Sequence, residues 1–340
     1  MKRIAVLLLL LIGGGKLAFA QEYDASLQIN QIFLNPHILN PAFSGIEKYW
    51  QVQTGLRYMS DNYLDQAQGF VSINGSLYNP DIRQNSVRIS DPAAYEDQET
   101  EEAYRKRLRR HGFGAYLDSD GMGYVANTKG GLTYAYHLPL SRKVNASAGV
   151  GLMFNSFWIG APSYHVRSPK EDEVYQAFIN NGEELTKNHL DANLGLAIYT
   201  DKMYAGLSAQ QLMLANWNSD DAFGRKVAYA DYKLQLGYQL PLSADFKMQP
   251  SLLVRYNAVQ QTQVYGNLKV NYNDVFWLGG GYRNNDAFSA MVGLRAFEKV
   301  SISYAWDNPI SDMEFEYRGG HEVSIGFTFF NRENHRPYYW

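Results

Sequence analysis

The chain has 340 residues, with 31 Lys and Arg against 34 Asp and Glu, and it contains no cysteine. Disulfide scaffolds, thiol enzymes and cysteine-based zinc sites are therefore excluded. Aromatic residues make up 14% of the chain, charged residues only 19%, and there are 29 glycines. Because aromatic side chains fit the pleated surface of a sheet and glycine is typical of turns and bends, this balance favours a β-rich protein.

The first twenty residues have the pattern of a secretory signal peptide. Two basic residues precede an apolar stretch from 4 to 12, and an A-x-A cleavage site ends at Ala20. We therefore expect export of the chain, with Gln21 as the first residue of the mature protein. Removal of this segment removes three basic residues and no acidic ones. The excess of acidic residues that remains argues against nucleic acid as a partner.

From residue 49 onward, the recurrent pattern is an alternation with a period of two residues. In the segment 143–157, apolar side chains such as Val150 and Leu152 alternate with small or polar ones such as Asn145 and Gly149. Such alternation predicts a strand with one apolar face. Fourteen segments share it: 49–59, 67–78, 111–118, 123–138, 143–157, 189–200, 202–213, 228–240, 246–258, 262–271, 274–284, 287–297, 299–307 and 319–330.

The links between these segments differ in length. Turns such as 139–141 and 200–202 are short, whereas 158–188, 213–227 and 308–318 are long. An even number of strands with one apolar face, short turns at one rim and long loops at the other is typical of outer-membrane barrels. An open sheet edge in lipid would leave backbone groups without hydrogen bonds. We therefore predict an all-β fold, a closed 14-stranded antiparallel transmembrane β-barrel, with both termini in the periplasm.

A soluble β-sandwich or propeller is the competing interpretation, because its strands also alternate. Aromatic residues near the strand ends favour the membrane barrel, since tyrosine and tryptophan concentrate at membrane interfaces. The barrel then comprises 49–330, preceded by a pre-barrel segment 21–48 and followed by a tail 331–340.

The link 79–110 is long although it belongs to the periplasmic rim. Asp91 and Pro92 form a good helix start, and acidic and basic residues four positions apart follow. We predict a periplasmic helical insert near 92–110. Four of its arginines are candidates for contact with a periplasmic partner: Arg105, Arg107, Arg109 and Arg110. The alternative is a solvated helix with no partner.

Seven charged residues fall on the polar faces of their predicted strands: Arg57, Asp191, Asp231, Lys233, Arg255, Arg283 and Arg295. Because a lipid-facing arginine near the membrane midplane costs about 2–4 kcal/mol, we expect these side chains inside the barrel. They line a wet lumen or hold an internal plug. The segment 21–48 is the plug candidate, because Pro36 and Pro41 exclude a regular helix. An extended periplasmic tail is the alternative for this segment.

No catalytic signature such as G-x-S-x-G or H-E-x-x-H is present, so we expect neither an enzyme nor a cofactor. His189 and Asp191 share a polar face, which favours a luminal hydrogen bond over catalysis. The acidic residues 171–173 are adjacent and lack the spacing of an EF-hand. This favours a stretch of solvent-exposed acidic side chains over a calcium site. No metal site is therefore predicted.

Residues 28–45, with the sequence QINQIFLNPHILNPAFSG, resemble the opening signature of the PorP/SprF family of type IX secretion system membrane proteins. The positions that carry this signature are Asn35, Pro36, Asn40, Pro41 and Gly45. Later blocks follow in the same order, at 136–141, 190–212, 237–243, 287–306 and 319–323. The resemblance covers about 28–330, and the insert 79–110 and the tail 331–340 depart from it.

The resemblance implies an outer-membrane barrel of Bacteroidota that assists type IX export or surface attachment of large cell-surface proteins such as gliding adhesins. It implies as partners the C-terminal sorting domain of a secreted protein, other type IX secretion components and outer-membrane lipid. A passive transporter or porin for small or hydrophobic solutes is the alternative function, because a fourteen-stranded barrel can also admit solutes.

Overall fold

The computed structural model describes residues 30–47, 49–61, 66–77, 109–123, 125–141, 143–160, 176, 184–217, 230–258, 262–296, 299–310 and 317–331. Within these ranges the barrel consists of antiparallel strands β1 (Trp50–Asp61), β2 (Gln66–Leu77), β3 (Arg110–Met122), β4 (Val125–Pro139), β5 (Asn145–Gly160), β6 (Glu184–Tyr199), β7 (Met203–Trp217), β8 (Asp231–Tyr238), β9 (Phe246–Asn257), β10 (Gln263–Tyr272), β11 (Phe276–Arg283), β12 (Ala287–Ala296), β13 (Val300–Pro309) and β14 (Tyr317–Phe329).

The first and last strands close the barrel. β1 pairs with β2 on one side and with β14 on the other, with Arg57 opposite Glu322 across the closing seam. Every other strand pairs with its neighbours in chain order. The predicted all-β, closed, 14-stranded antiparallel barrel is confirmed, and each predicted segment overlaps one strand.

The two faces of the wall differ in polarity as the alternation predicts. Leu56, Leu132 and Leu196 face outward with 70%, 66% and 62% of their surface exposed, whereas Arg57 and Asp191 on the inner face are buried. An apolar outer surface of this kind is stable in the hydrocarbon of a bilayer, which is the surface that an outer-membrane barrel presents to lipid. Among the helices of the described ranges, none is both long enough and apolar enough to cross a membrane.

Because neighbouring strands run in opposite directions, odd-numbered strands begin at one rim of the barrel and even-numbered strands at the other. We call the rim at which β1 begins the lower rim; its links 140–144, 200–202, 242–245, 273–275 and 297–299 are short. The opposite, upper rim carries the links 161–183, 218–230 and 310–316. The long link at the lower rim lies at 78–109, so the predicted helical insert falls almost entirely outside the described residues. Its predicted last residue, Arg110, instead begins β3 and pairs with His137 of β4.

Strand β8 is interrupted near the lower rim. β8 breaks at Gln239 and resumes as the two-residue strand Leu240–Pro241, which pairs with the lower part of β9. Pro250 of β9 lies beside the break, and proline has no N–H to donate to a ladder. Side-chain amides bridge the gap instead, because Gln249 donates to the Gln239 side chain at 3.2 Å.

Candidate functional site inside the barrel

Residues 30–47 form a compact segment, which we call the luminal segment. It contains a 3-10 turn at Ile32–Leu34, the one-turn helix α1 at Pro36–Leu39 and a second 3-10 turn at Pro41–Phe43. The prolines stand at the starts of the last two elements, where their fixed φ is compatible with a helix and their missing N–H is not needed. Each element is therefore short, and the segment folds into a bent chain.

The luminal segment lies inside the barrel. Ala42, Phe43 and Ile46 have no exposed surface. Hydrogen bonds attach the segment to opposite walls: Ser72 of β2 donates to Asn35 at 2.6 Å, Ser208 of β7 to Leu39 O at 2.8 Å, and Asn30 N to Glu322 of β14 at 2.7 Å. A chain that contacts β2, β7 and β14 at once can only occupy the lumen.

Polar side chains of the wall satisfy the backbone of the segment. Ser147 of β5 donates to Ala42 O, and Gln210 of β7 donates to Ile38 O, both at 2.8 Å. Buried carbonyl groups need such partners, because an unsatisfied one costs about 1–3 kcal/mol. The small and polar residues that sequence analysis placed on the inner faces thus serve as hydrogen-bonding partners of the segment.

The family signature positions make several of these contacts. Asn40 donates from its side chain to Leu196 O and Leu207 O, at 3.3 Å each, and its side-chain oxygen accepts from Ala42 N. Gly45 has φ +67°, in the left-handed region that favours glycine, and its N–H donates to Asn74 at 2.6 Å. The signature therefore encodes both the bends of the segment and its attachment to the wall.

Glycines of the inner wall allow the segment to approach the strands closely. A Cβ atom added at Gly149 would overlap the backbone of Pro41 and Ala42, and one added at Gly206 would lie 2.7 Å from the Asn40 amide nitrogen. We call the set of such positions the glycine cradle. It consists of Gly112, Gly114, Gly149, Gly195 and Gly206.

A chain of hydrogen bonds anchors the lower end of the segment. His137 Nε2 lies 2.7 Å from Ser44 O, a carbonyl that can only accept, so Nε2 carries the proton. Nδ1 then accepts from Tyr199 OH at 2.8 Å, and Arg110 donates to the same Tyr199 oxygen at 3.0 Å. Arg110 also donates to Ile46 O at 2.5 Å.

This geometry changes the assignment of Arg110. Sequence analysis grouped it with Arg105, Arg107 and Arg109 as a partner contact, but its side chain points into the lumen and holds the segment. Arg109 is exposed at the lower rim. Arg105 and Arg107 lie outside the described residues.

Six of the seven charged residues predicted on the inner faces are buried, and carboxylates pair with the basic ones. Asp307 accepts from Arg57 at 2.7 Å and from Arg283 at 3.0 Å. Asp231 accepts from Arg255 at 2.7 Å and lies 2.9 Å from the Lys233 ammonium. These ion pairs belong to the upper half of the lumen.

Asp191 and Arg295, also predicted on the inner faces, make different contacts. Asp191 is fully buried and lies 3.1 Å from His189, on the same face of β6. Among the described residues, no group of three or more potential ligands is placed to hold a metal ion. Arg295 is half-buried near the lower end of β12, far along the wall from the ion pairs of the upper half.

Sequence reasoning missed several residues that hold the segment, among them Glu322 and His137. Glu322 accepts from Asn30 N and from Gln31 N, at 2.7 and 3.3 Å. The alternation places both Glu322 and His137 on inner faces, so a search of those faces for all polar residues would have found them. Their partners in the segment are visible only in three dimensions.

The family model described as type IX secretion system membrane protein PorP/SprF matches residues 21–327. The chain belongs to the PorP/SprF family. The resemblance inferred from the sequence is thereby confirmed, and the luminal segment of this PorP/SprF barrel coincides with the signature at its start.

Solved structures similar to this PorP/SprF chain are barrels of low sequence identity. The toluene transporter TodX of Pseudomonas putida is 10% identical, with a TM-score of 0.46, over 87% of this chain and 93% of that one. The CymD monoaromatic hydrocarbon channel is 9% identical, with a TM-score of 0.48, over 91% and 94%. The translocator domain of the autotransporter NalP of Neisseria meningitidis is 8% identical, with a TM-score of 0.38, over 83% and 89%. No curated protein matches the chain.

Proposed function

We propose that this barrel assists the type IX export or surface attachment of large cell-surface proteins, such as gliding adhesins, across or at the outer membrane. The observation that carries the proposal is the family match over residues 21–327. The closed barrel with its apolar exterior supports the location. The proposed partners are a secreted protein with a C-terminal sorting domain and other components of the secretion system.

The proposed orientation places the lower rim in the periplasm. The short turns at this rim and the longer links at the upper rim support it, because outer-membrane barrels have short periplasmic turns. The luminal segment then leads down from Asn30, which Glu322 and Arg283 hold, to the periplasmic rim ahead of β1. β14 ends at the same rim, so the tail after Phe329 is periplasmic. The upper-rim links 161–183, 218–230 and 310–316 face the cell exterior, where surface proteins are held.

The luminal segment supports a role in protein contact over passive transport. It occupies the lumen and is hydrogen-bonded to walls on opposite sides. In this arrangement the segment acts as a plug, which a porin for small solutes would need to displace. The barrel is then a scaffold whose rims bind proteins.

A pull-down tests the proposal. The tagged full-length protein is extracted from its native outer membrane in a mild detergent after crosslinking, and co-purifying proteins are identified by mass spectrometry. We expect one large secreted protein or type IX components to be recovered. Recovery of the barrel alone would contradict the proposal and favour the transporter, which uptake of a defined solute into proteoliposomes would then establish.

The long link at the lower rim is a proposed docking element for a periplasmic partner. Replacing 78–109 by a two-residue turn leaves Arg110 in place to hold the luminal segment. We expect the shortened protein to insert into the membrane normally and to recover less of its periplasmic partner in the same pull-down. Unchanged recovery and unchanged display of surface proteins would remove the docking role.

A further inference from the structure

Three cations at the lower end of the lumen differ from those above them. Lys269 of β10, Arg295 of β12 and Lys299 of the turn after β12 form no ion pair with any carboxylate in the part of the chain that the structure describes. The basic residues of the upper half, by contrast, share Asp307 and Asp231. We call these three residues the lower cations.

The lower cations are aligned along the wall. The ladder places Asn271 opposite Trp277, and Trp277 opposite Gly293. Lys269 precedes Asn271 by two residues, so it lies one inward-facing position above this level. Arg295 follows Gly293 by two residues, so it lies one inward-facing position below it. At about 3.3 Å per residue, the rows of Lys269 and Arg295 are about 13 Å apart along the strands. Lys299 extends the series to the rim.

A cavity of about 50 Å³ lies between Arg295 and the lower rim. Arg295 and Lys299 line it together with the amide side chains of Gln249 and Asn271 and the ring of Trp277. The carboxylate of Asp274 also lines it, but Lys247 binds both of its oxygens, at 2.9 and 2.8 Å. The cavity therefore offers positive charge, amide groups and one apolar surface.

The innermost lower cation contacts the luminal segment. The Lys269 ammonium lies 5.2 Å from the ring centre of Phe33 and 5.4 Å from that of Trp277, within cation–π range. Phe33 and Trp277 themselves meet edge to face, with their ring centres 5.7 Å apart. Trp277 and Leu34 of the luminal segment both line the cavity, so whatever enters it approaches the segment and the wall.

We propose that the lower cations form a docking site for an acidic, extended segment of a partner polypeptide. The carboxylates of the segment pair with Lys299 and Arg295, and an apolar side chain of the segment packs on Trp277. Lys269 is buried beside Phe33 and Trp277, so Arg295 and Lys299 are the cations that the segment meets. Because these two cations lie at successive levels of the wall, they match carboxylates spaced along an extended chain better than a single compact ion. Arg295 lies on the inner face of the wall, away from the surrounding lipid, and Lys299 lies at the rim below it. The proposal rests on the proposed role of the barrel as a protein-binding component.

Peptide binding tests the docking site. The full-length protein in a non-ionic detergent is titrated with a fluorescein-labelled tetra-aspartate peptide and, in parallel, with its tetra-asparagine counterpart. We expect binding of the acidic peptide only. Arg295→Gln and Lys299→Gln are each expected to weaken binding about tenfold, as loss of a charge-assisted hydrogen bond does.

Lys202→Gln is the matched control, because Lys202 is an exposed cation in another turn of the same rim. It should leave the affinity unchanged. If Arg295→Gln does not fold, Lys299→Gln in the exposed turn carries the comparison. Folding is checked by heat-dependent mobility in gel electrophoresis.

Three results would overturn the proposal: equal binding of the two peptides, equal weakening by Lys202→Gln, or displacement of the acidic peptide by inorganic phosphate at the same concentration. The last would indicate a site for a small anion. None of them depends on recovering type IX components in the pull-down, so failure of this site is distinguishable from failure of the proposed function.

Discussion

At the scale of single residues, Asp307 combines complete burial with two arginine partners. Its fully buried carboxylate accepts from Arg57 of β1 and Arg283 of β11, each two strands away from β13. Neutralising it leaves two guanidinium charges in the lumen without their shared counter-charge, and breaking a buried pair costs about 3–5 kcal/mol. We expect Asp307→Asn to lower the free energy of unfolding by about 3 kcal/mol, measured by denaturant titration in micelles.

Asp286 provides the control for this measurement. It binds the same Arg283 at 2.7 Å, but nearly half of its side chain is exposed. Asp286→Asn should lower the free energy of unfolding by about 1 kcal/mol or less, as surface ion pairs do. Similar losses in the two variants would show that burial is not what makes the Asp307 contacts important.

The glycine cradle allows a second prediction at this scale. A methyl group at Gly149 meets the backbone of the luminal segment, so Gly149→Ala forces the segment away from β5. Overpacking of this kind costs about 1–3 kcal/mol. We expect a lower midpoint of thermal unfolding and faster proteolysis of the luminal segment.

Gly151 lies on the same face of the same strand and is the matched control. The nearest neighbour of an added Cβ is Leu132 O, at 3.3 Å, and the three nearest atoms all belong to the wall. Gly151→Ala should therefore resemble the unsubstituted protein in both assays. If it behaved like Gly149→Ala, the loss of stability would come from the strand and not from the segment.

At the scale of elements, the luminal segment is expected to control passage through the barrel. Replacing 28–45 by a Gly/Ser chain of equal length removes its packing groups and its hydrogen bonds to the wall. We expect this variant to conduct ions in planar bilayers, whereas the intact protein conducts little. Unchanged conductance and unchanged display of surface proteins would mean that the segment is not a plug.

Most strands could be predicted because each must keep one apolar face toward lipid. β6 shows where this signal ends: alternation predicts a start at residue 189, but the strand begins at Glu184. Residues 186–188 are Thr, Lys and Asn, so this part of the strand has no apolar face to detect. The contacts between wall glycines and the luminal segment could not be predicted either, because they join residues that are far apart in the sequence.

Arg110 illustrates a different limit. Charged residues four positions apart continue almost to the start of β3, so helix periodicity assigns Arg110 to the insert. The residues after it alternate, and Arg110 falls on the inner face by that second pattern. The helical pattern of the insert and the alternation of the strand overlap at Arg110. The pairing of Arg110 with β4 shows that it belongs to the strand.

At the scale of the whole molecule, the apolar exterior predicts how the barrel tolerates charge. Leu132 lies near the middle of β4 and is 66% exposed toward lipid. Leu132→Arg should lower the free energy of unfolding by about 2–4 kcal/mol, measured by folding into lipid vesicles from urea. The same substitution at Leu140, in a lower-rim turn, should cost about 1 kcal/mol or less. Equal costs would argue against a membrane boundary between these positions.

The position of the luminal segment before β1 in the chain also imposes an order on assembly. Its middle and lower parts bind side chains of β2 to β7, but Asn30 is held by Glu322, 292 residues later in the chain. That contact can form only after the final strand arrives, and contacts of such sequence separation are slow to form. The strand that closes the seam with β1 therefore also supplies the partner of Asn30, so the upper end of the segment is fixed only in a closed barrel.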